Sequence, residues 1–289
     1  MKVAVFISSH ICYKGQLTLL SRALQSVLSQ TIIPHVYISL SFADEIVEMK
    51  AAKKDIKSTG RAWKVHSKQR FQLQHLEYLT NKYADQYDMI LFLDDDDTYN
   101  TNRVACMCEA FTACHRLNRL HGPKKICVRE YTDKEDVPEY WAYGVQPSIL
   151  QDFFKEIRSR KLLIYIWNKM GDMVLRSYLR FKDIHVIGIR QRHMLYIYNK
   201  NNPNGVCNSQ RSHKNPKNFN EKKFKIHQLE QITVWAGVAY NEGIFSVEEL
   251  VKRVKKTVLG PHKESYYPSI IKLCLSAQKL IDYYNEIWV

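Results

Sequence analysis

Four consecutive carboxylates, Asp94-Asp95-Asp96-Asp97, follow directly on an uninterrupted apolar run, Met89-Ile90-Leu91-Phe92-Leu93. Like charges a few ångströms apart raise one another's pKa, and a cation relieves the strain. Hard oxygen ligands in a short cluster suit Mg²⁺ or Mn²⁺, which are commonly shared with the phosphate oxygens of a substrate. The competing reading is a solvated acidic loop in which Asp97 or Thr98 caps the next helix. Position favours the first, because ligands of open α/β sheets bind beyond the carboxyl ends of the strands. Ser8-Ser9-His10 and Ser41 fall at two other strand ends, so one crevice should collect all of them.

The elements needed to build that crevice are legible in the spacing of apolar residues. Val3–Ser8 reads as a buried strand, and Gly15–Gln30 carries Leu17, Leu20, Leu24, Val27 and Leu28 at helical intervals. Val36–Leu40 and Lys64–His66 read as strands and Phe71–Tyr83 as a helix, with Met89–Leu93 as a central strand covered on both faces. Alternation of this kind predicts an α/β fold with a mostly parallel central sheet flanked by helices. Strands are expected at Ile126–Tyr131, Tyr140–Val145, Val186–Ile189 and Leu195–Tyr198, with helices over Ser148–Arg158 and Asp172–Phe181. The stretch from Asn199 to Asn220 holds eight Asn and several basic residues, which reads as a linker. The expected organisation is a catalytic domain over 1–205, a basic Asn-rich linker over 206–225 and a helical C-terminal extension over 226–289. Ser246-Val247-Glu248-Glu249 forms a capping box at the start of one of the extension's helices.

Three of these segments resemble those of a known family. Leu91-Phe92-Leu93-Asp94-Asp95-Asp96-Asp97 resembles the Asp-X-Asp signature of GT-A glycosyltransferases of the family-2-like group. Leu20-Ser21-Arg22-Ala23-Leu24-Gln25-Ser26-Val27-Leu28-Ser29-Gln30-Thr31 resembles that group's first helix, with its Ala-Leu-X-Ser-Val-X-X-Gln-Thr run, and Gln69-Arg70-Phe71-Gln72-Leu73-Gln74-His75 its basic, donor-contacting helix start. The short polar style of the domain is also similar to glycosyltransferases encoded by large algal DNA viruses. The resemblance covers residues 1–200 and implies a GT-A-like, Rossmann-related domain that transfers a hexose or pentose from a nucleoside-diphosphate sugar, UDP-linked in the first instance.

On that resemblance Ser8, Ser9, His10, Ser41, Arg70, Asp94 and Asp95 would line the donor site, and Asp94 and Asp96 would hold Mn²⁺ or Mg²⁺. Asp95 or Asp97 could substitute as metal ligand. Asp172, which follows Gly171 and precedes an amphipathic segment, would be the general base of an inverting reaction on a glycan or glycoprotein hydroxyl, with Asp152 as the next candidate. The sequence departs from the family in carrying Ser8-Ser9-His10-Ile11 after the first strand. It also has Ser41, with Asp44 nearby, where a base-binding Asp is usual.

Composition sets the bounds. Forty-three basic against 29 acidic side chains leave a net charge of +14, which favours an anionic substrate or partner. The excess is spread along the chain rather than held in one arm, so a nucleic-acid partner is not expected. Peripheral contact with a membrane surface stays open, and no apolar stretch approaches the ~20 residues of a membrane helix. Seven Cys without regular spacing, no Asn-X-Ser/Thr acceptor and no signal peptide read as a cytoplasmic chain with reduced thiols. Cys106, Cys108, Cys114 and His115 lack zinc-site spacing and read as idle thiols on a helix. His185 and His193 read as core or surface histidines, and Trp141, Tyr143 and Trp167 as packing before sugar stacking. Two rivals remain: a nucleotidyl- or phosphotransferase on the same acidic site, without a Gly-X-X-X-X-Gly-Lys loop, and a non-enzymatic nucleic-acid- or membrane-associated protein.

Overall fold

The computed structural model describes residues 1–13, 15–43, 62–66, 68, 70–121, 125–132, 140–159, 175, 178, 179 and 184–199. Asp44, Trp167, Asp172, the linker and the C-terminal extension lie outside the described residues.

Seven strands form one sheet in the order β3-β2-β1-β4-β7-β6-β8. They are β1 (Val3–Ile11), β2 (His35–Phe42), β3 (Ala62–Val65), β4 (Met89–Asp94), β6 (Ile126–Tyr131), β7 (Tyr143–Val145) and β8 (His185–Arg190). Every neighbouring pair is parallel except those made by β7, which runs antiparallel to both β4 and β6. The expected mostly parallel sheet flanked by helices is therefore present, and all its strands belong to one compact unit spanning Met1–Phe154 and Ile184–Ser209.

The core follows from the apolar runs. Ala4–Ile7 on β1 and Met89–Leu93 on β4 are completely shielded from solvent. Each Val, Ile, Leu, Phe or Met side chain among them contributes roughly 1.5–3 kcal/mol by leaving water. Helix α1 (Gln16–Leu28) lays Leu20, Ala23, Leu24 and Val27 into this core, and α2 (Gln72–Tyr83) packs on β1 and β2 through Leu73, Leu76 and Leu79. Helix α3 (Arg103–His121) packs on β6 and β8, and α4 (Pro147–Ser159) buries Ile149, Leu150 and Phe153.

One local expectation is corrected, and the competing reading of Thr98 as a helix cap is not met. Tyr140–Ala142 is a single 3-10 turn, and only Tyr143–Val145 continues as strand. That strand must slip between β4 and β6, and a Cβ on Gly144 would come within 2.8 Å of Met89 Sδ and 2.9 Å of Leu91 Cδ2. Thr98–Tyr99 does not open a helix. It is a short strand, β5, paired antiparallel with β9 (Tyr196–Ile197), so the segment around residue 196 is brought back against the aspartate run.

Candidate active site

Parallel pairing aligns the strand ends. Ser8 is the register partner of Asp94, and His10 that of Ser41. The expected convergence of Ser8, Ser9, His10, Ser41 and the aspartates at one end of the sheet is thus present. Arg70 joins them: its backbone N–H donates to Ser41 Oγ at 3.2 Å, while its guanidinium lies 5.9 Å from the centre of the Tyr78 ring.

The four aspartates differ in what they touch. Asp95 Oδ2 accepts from Ser9 Oγ and, at 2.8 Å, from Gln16 Nε2. Asp97 is buried, with Oδ2 accepting from Tyr196 Oη at 2.7 Å and Oδ1 from the Asn199 amide at 2.7 Å. Both of its oxygens therefore fasten the returning segment, which fits a structural role better than metal ligation. Asp94 Oδ1 accepts from Tyr140 Oη and, at 3.0 Å, from Gln72 Nε2, while its amide donates to Tyr196 Oη at 3.2 Å. Its Oδ2 has no hydrogen-bond partner among the described residues. Asp96 lies half-exposed in the turn, its carbonyl held by Arg22 Nη2 at 3.2 Å.

Burial makes the cluster reluctant to carry its full charge. Desolvation, ahead of the Asp97 carboxylate, pushes Asp94 well above the usual carboxylate range. Desolvation also raises Asp95 to about 6 and Asp97 to about 7, with Asp96 adding to both. The donor set fits a divalent cation of the shared kind. Asp94 Oδ2 and Asp96 would offer hard oxygens to such an ion, which commonly takes one or two carboxylates beside substrate phosphate and water. Among the described residues no group of three or more His, Cys, Asp or Glu converges to hold a metal by itself.

Several residues that hold this arrangement carried no signal of their own in the sequence. Gln16, Gln72, Tyr140 and Tyr196 each bond an aspartate from 22 to 99 residues away. The Ser-Val-X-X-Gln-Thr run at the end of α1 has a physical use as well. Gln30 Nε2 donates to Asn100 O at 2.7 Å, its Oε1 accepts from the Val104 amide at 3.0 Å, and Ser26 Oγ accepts from the Tyr99 amide at 3.0 Å. These bonds fix the segment leaving the aspartates. Only the apolar positions of α1 are visible as periodicity; its polar staples are not.

Beneath the aspartates lies an ion pair between Arg103 and Glu130, both buried, with Nε and Oε1 3.1 Å apart. Arg103 Nη2 also donates to Trp141 O at 2.6 Å, and its guanidinium lies 4.2 Å from the Tyr99 ring centre. Trp141 stacks on Tyr196 at 4.2 Å, so its ring is engaged in packing, as its sequence context favours over sugar stacking. Cys108 and Cys114 are buried free thiols of α3. His185 is exposed at the start of β8, the opposite end of the sheet from Asp94, and His193 is exposed too.

With this geometry in view, the chain can be set beside known proteins. No family model matches it, and no curated protein is significantly similar to it. Solved structures do resemble it. One is residues 1–349 of S. aureus TarS in complex with UDP, at 10% identity and TM-score 0.49, covering 96% of this chain and 90% of that one. Against a longer TarS structure this chain spans 55% of the partner's length. A second is the mannosyltransferase PcManGT from Pyrobaculum calidifontis in complex with GDP-Man and Mn²⁺, at 11% identity and TM-score 0.49, covering 98% and 75%. A third is a cytidylyltransferase from Leptospira borgpetersenii, at 13% identity and TM-score 0.45, covering 94% and 97%. Likenesses this distant decide neither fold nor function, which rest on the chain's own sheet and site.

No helix among the described residues is long and apolar enough to cross a membrane.

Proposed function

We propose that this chain is a metal-dependent glycosyltransferase that moves a sugar from a nucleoside diphosphate, UDP first, to a hydroxyl of a glycan or glycoprotein. The observation that carries the reading is the division of labour among the aspartates. Asp95 and Asp97 are committed to protein partners, while Asp94 Oδ2 has no hydrogen-bond partner among the described residues and Asp96 lies half-exposed in the same turn. Bound there with the donor diphosphate, Mn²⁺ or Mg²⁺ would neutralise charge developing on the leaving group. The chain's own residues would do the rest. Tyr140 and Gln72 orient Asp94, which would position the ribose or the metal's second shell, and Ser9 and Gln16 orient Asp95. His10, Ser41 and Arg70 line the side on which the base would lie.

Asp172 is proposed as the base that takes the acceptor proton, giving inversion. In Asp172→Asn, transfer is expected to be lost while donor binding stays within about twofold of wild type. Wild-type turnover in that variant would remove Asp172 from the mechanism.

The donor site itself is tested by melting the protein with UDP, GDP, CDP or TDP in Mn²⁺, Mg²⁺ or EDTA. A nucleoside diphosphate that binds the folded state raises the melting temperature, and the rise is expected only with metal and to include UDP. No shift with any nucleotide would end the transferase reading and turn attention to the basic surface. The acidic site alone also suits nucleotidyl transfer. Release of pyrophosphate instead of a nucleoside diphosphate would show that chemistry.

A further inference from the structure

Beside the aspartates, at the ends of β1 and β2, runs a polar chain that the proposed transfer leaves largely unused. His66 Nε2 and Ser39 Oγ are 2.9 Å apart, and Ser39 Oγ and His75 Nδ1 2.7 Å. His75 Nε2 lies 3.0 Å from Ser41 Oγ, which in turn lies 2.8 Å from His10 Nδ1. Ser39, Ser41, His66 and His75 are buried, whereas His10 is half-exposed. The terminal ring atoms, His66 Nδ1 and His10 Nε2, have no hydrogen-bond partner among the described residues.

All three rings are held neutral at pH 7. Desolvation lowers His10, brings His66 down to about 4 and brings His75 down to about 3, with the Arg70 charge adding to the last two. A neutral imidazole has one N–H and one acceptor nitrogen, and a serine hydroxyl donates once. Within these four His–Ser bonds, only two complete arrangements satisfy these counts. In the first, His66 Nε2–H donates to Ser39, Ser39 to His75 Nδ1, His75 Nε2–H to Ser41, and Ser41 to His10 Nδ1. Every ring then carries its proton on Nε2. In the second, every bond is reversed and every ring carries its proton on Nδ1. Any mixture puts two protons, or none, on one bond. The Arg70 amide fills Ser41's remaining acceptor site in both states.

We propose that this chain is a concerted polarity switch, in which His66, Ser39, His75 and Ser41 are positioning residues that let His10 Nε2 meet a neutral heterocyclic edge either as donor or as acceptor. The identity of that ligand rests on the nucleotide reading given above; the switch itself stands on the ligand-free geometry. At N3 uracil carries a proton and cytosine a lone pair. A reversible contact accommodates both, where a fixed one would suit a single base.

Ser39→Ala cuts the chain away from the crevice. His75 Nδ1 is then left without a partner, and an orphaned N–H is less tolerated inside a protein than an orphaned acceptor. His75 should therefore settle with its proton on Nε2, which turns Ser41 toward His10 and fixes His10 as a donor.

Imidazole ¹⁵N shifts of the full chain at pH 7, without ligand, report each tautomer. In wild type His10, His66 and His75 should be neutral and share one tautomer ratio; in Ser39→Ala, His10 and His75 should both move to the Nε2–H form. Unequal ratios within the trio, or a charged ring, would overturn the switch. With UDP and CDP as probes in Mn²⁺, wild-type affinities should lie within about threefold of each other. Ser39→Ala should favour CDP by about tenfold. An unchanged ratio in a variant whose tautomers have shifted would overturn the contact between His10 and the base. Correlated tautomers in a wild type that binds neither nucleotide would support the switch and overturn the nucleotide reading instead.

Discussion

Asp96→Ala is expected to lose the metal-dependent stabilisation by a nucleoside diphosphate altogether and to lower turnover by at least about 10²–10³-fold. Its neighbours are occupied: Asp95 by Ser9 and Gln16, Asp97 by Tyr196 and Asn199, and one oxygen of Asp94 by Tyr140 and Gln72. Asp96 stands half-exposed in the turn, where a metal can be shared with phosphate. With ligand at ~100 times its Kd, wild type should gain about 2.7 kcal/mol of apparent stability, and the variant none. Asp97→Asn should behave in the opposite way. It weakens the fastening of Tyr196 and Asn199, so it should lower the melting temperature before it touches metal dependence. The measurement is the melting shift with UDP and Mn²⁺ against EDTA, alongside initial rates. A full metal-dependent shift in Asp96→Ala would remove this residue from the metal site.

The largest stability effect is expected beneath the site. Arg103→Met leaves Glu130 as an uncompensated charge in the core, which costs about 3–5 kcal/mol. Arg103 and Glu130 are almost wholly shielded from water, and Glu130 Oε1 also accepts from the Tyr196 amide at 2.9 Å. The damage should therefore spread to the segment that closes over Asp97. Removing both charges is a different matter. Arg103 Nη1 and Glu130 Oε2 have no hydrogen-bond partner among the described residues, so the pair is not a fully satisfied network. The double variant Arg103→Met, Glu130→Leu should accordingly recover most of the loss. Urea unfolding of the three proteins measures this through midpoints at a constant slope. A single-variant loss under about 1 kcal/mol would show that the buried pair is not what holds this layer.

The Asp172 assignment stands apart from both predictions. It rests on a glycine, an acid and an amphipathic stretch in the sequence, and it is tested by turnover alone.

What the sequence determined by itself was the frame and the location of the site. Apolar runs and helical spacing are local properties, imposed by whether a stretch faces core or water. Hence β1, α1, β2, α2, β4, β6, α4 and β8 lie where those patterns place them, within a few residues at each end. The abrupt change from Leu93 to Asp94 marks a strand end for the same reason, and parallel strands bring such ends together. The use of each polar side chain was set instead by packing. Four adjacent aspartates look alike in one dimension. They diverge because Ser9, Gln72, Tyr140 and Tyr196 reach them from distant elements, and register decides which carboxylate each one meets. Thr98–Tyr99 became a strand because β9 was there to pair with it, and Tyr140–Ala142 a 3-10 turn ahead of a strand that runs against its neighbours. The histidines at 10, 66 and 75 form one chain only because β1, β2 and α2 pack side by side. Burial leaves its mark on the sequence as a local pattern, whereas a hydrogen bond between residues far apart in the chain is specified only when the elements that carry them have packed.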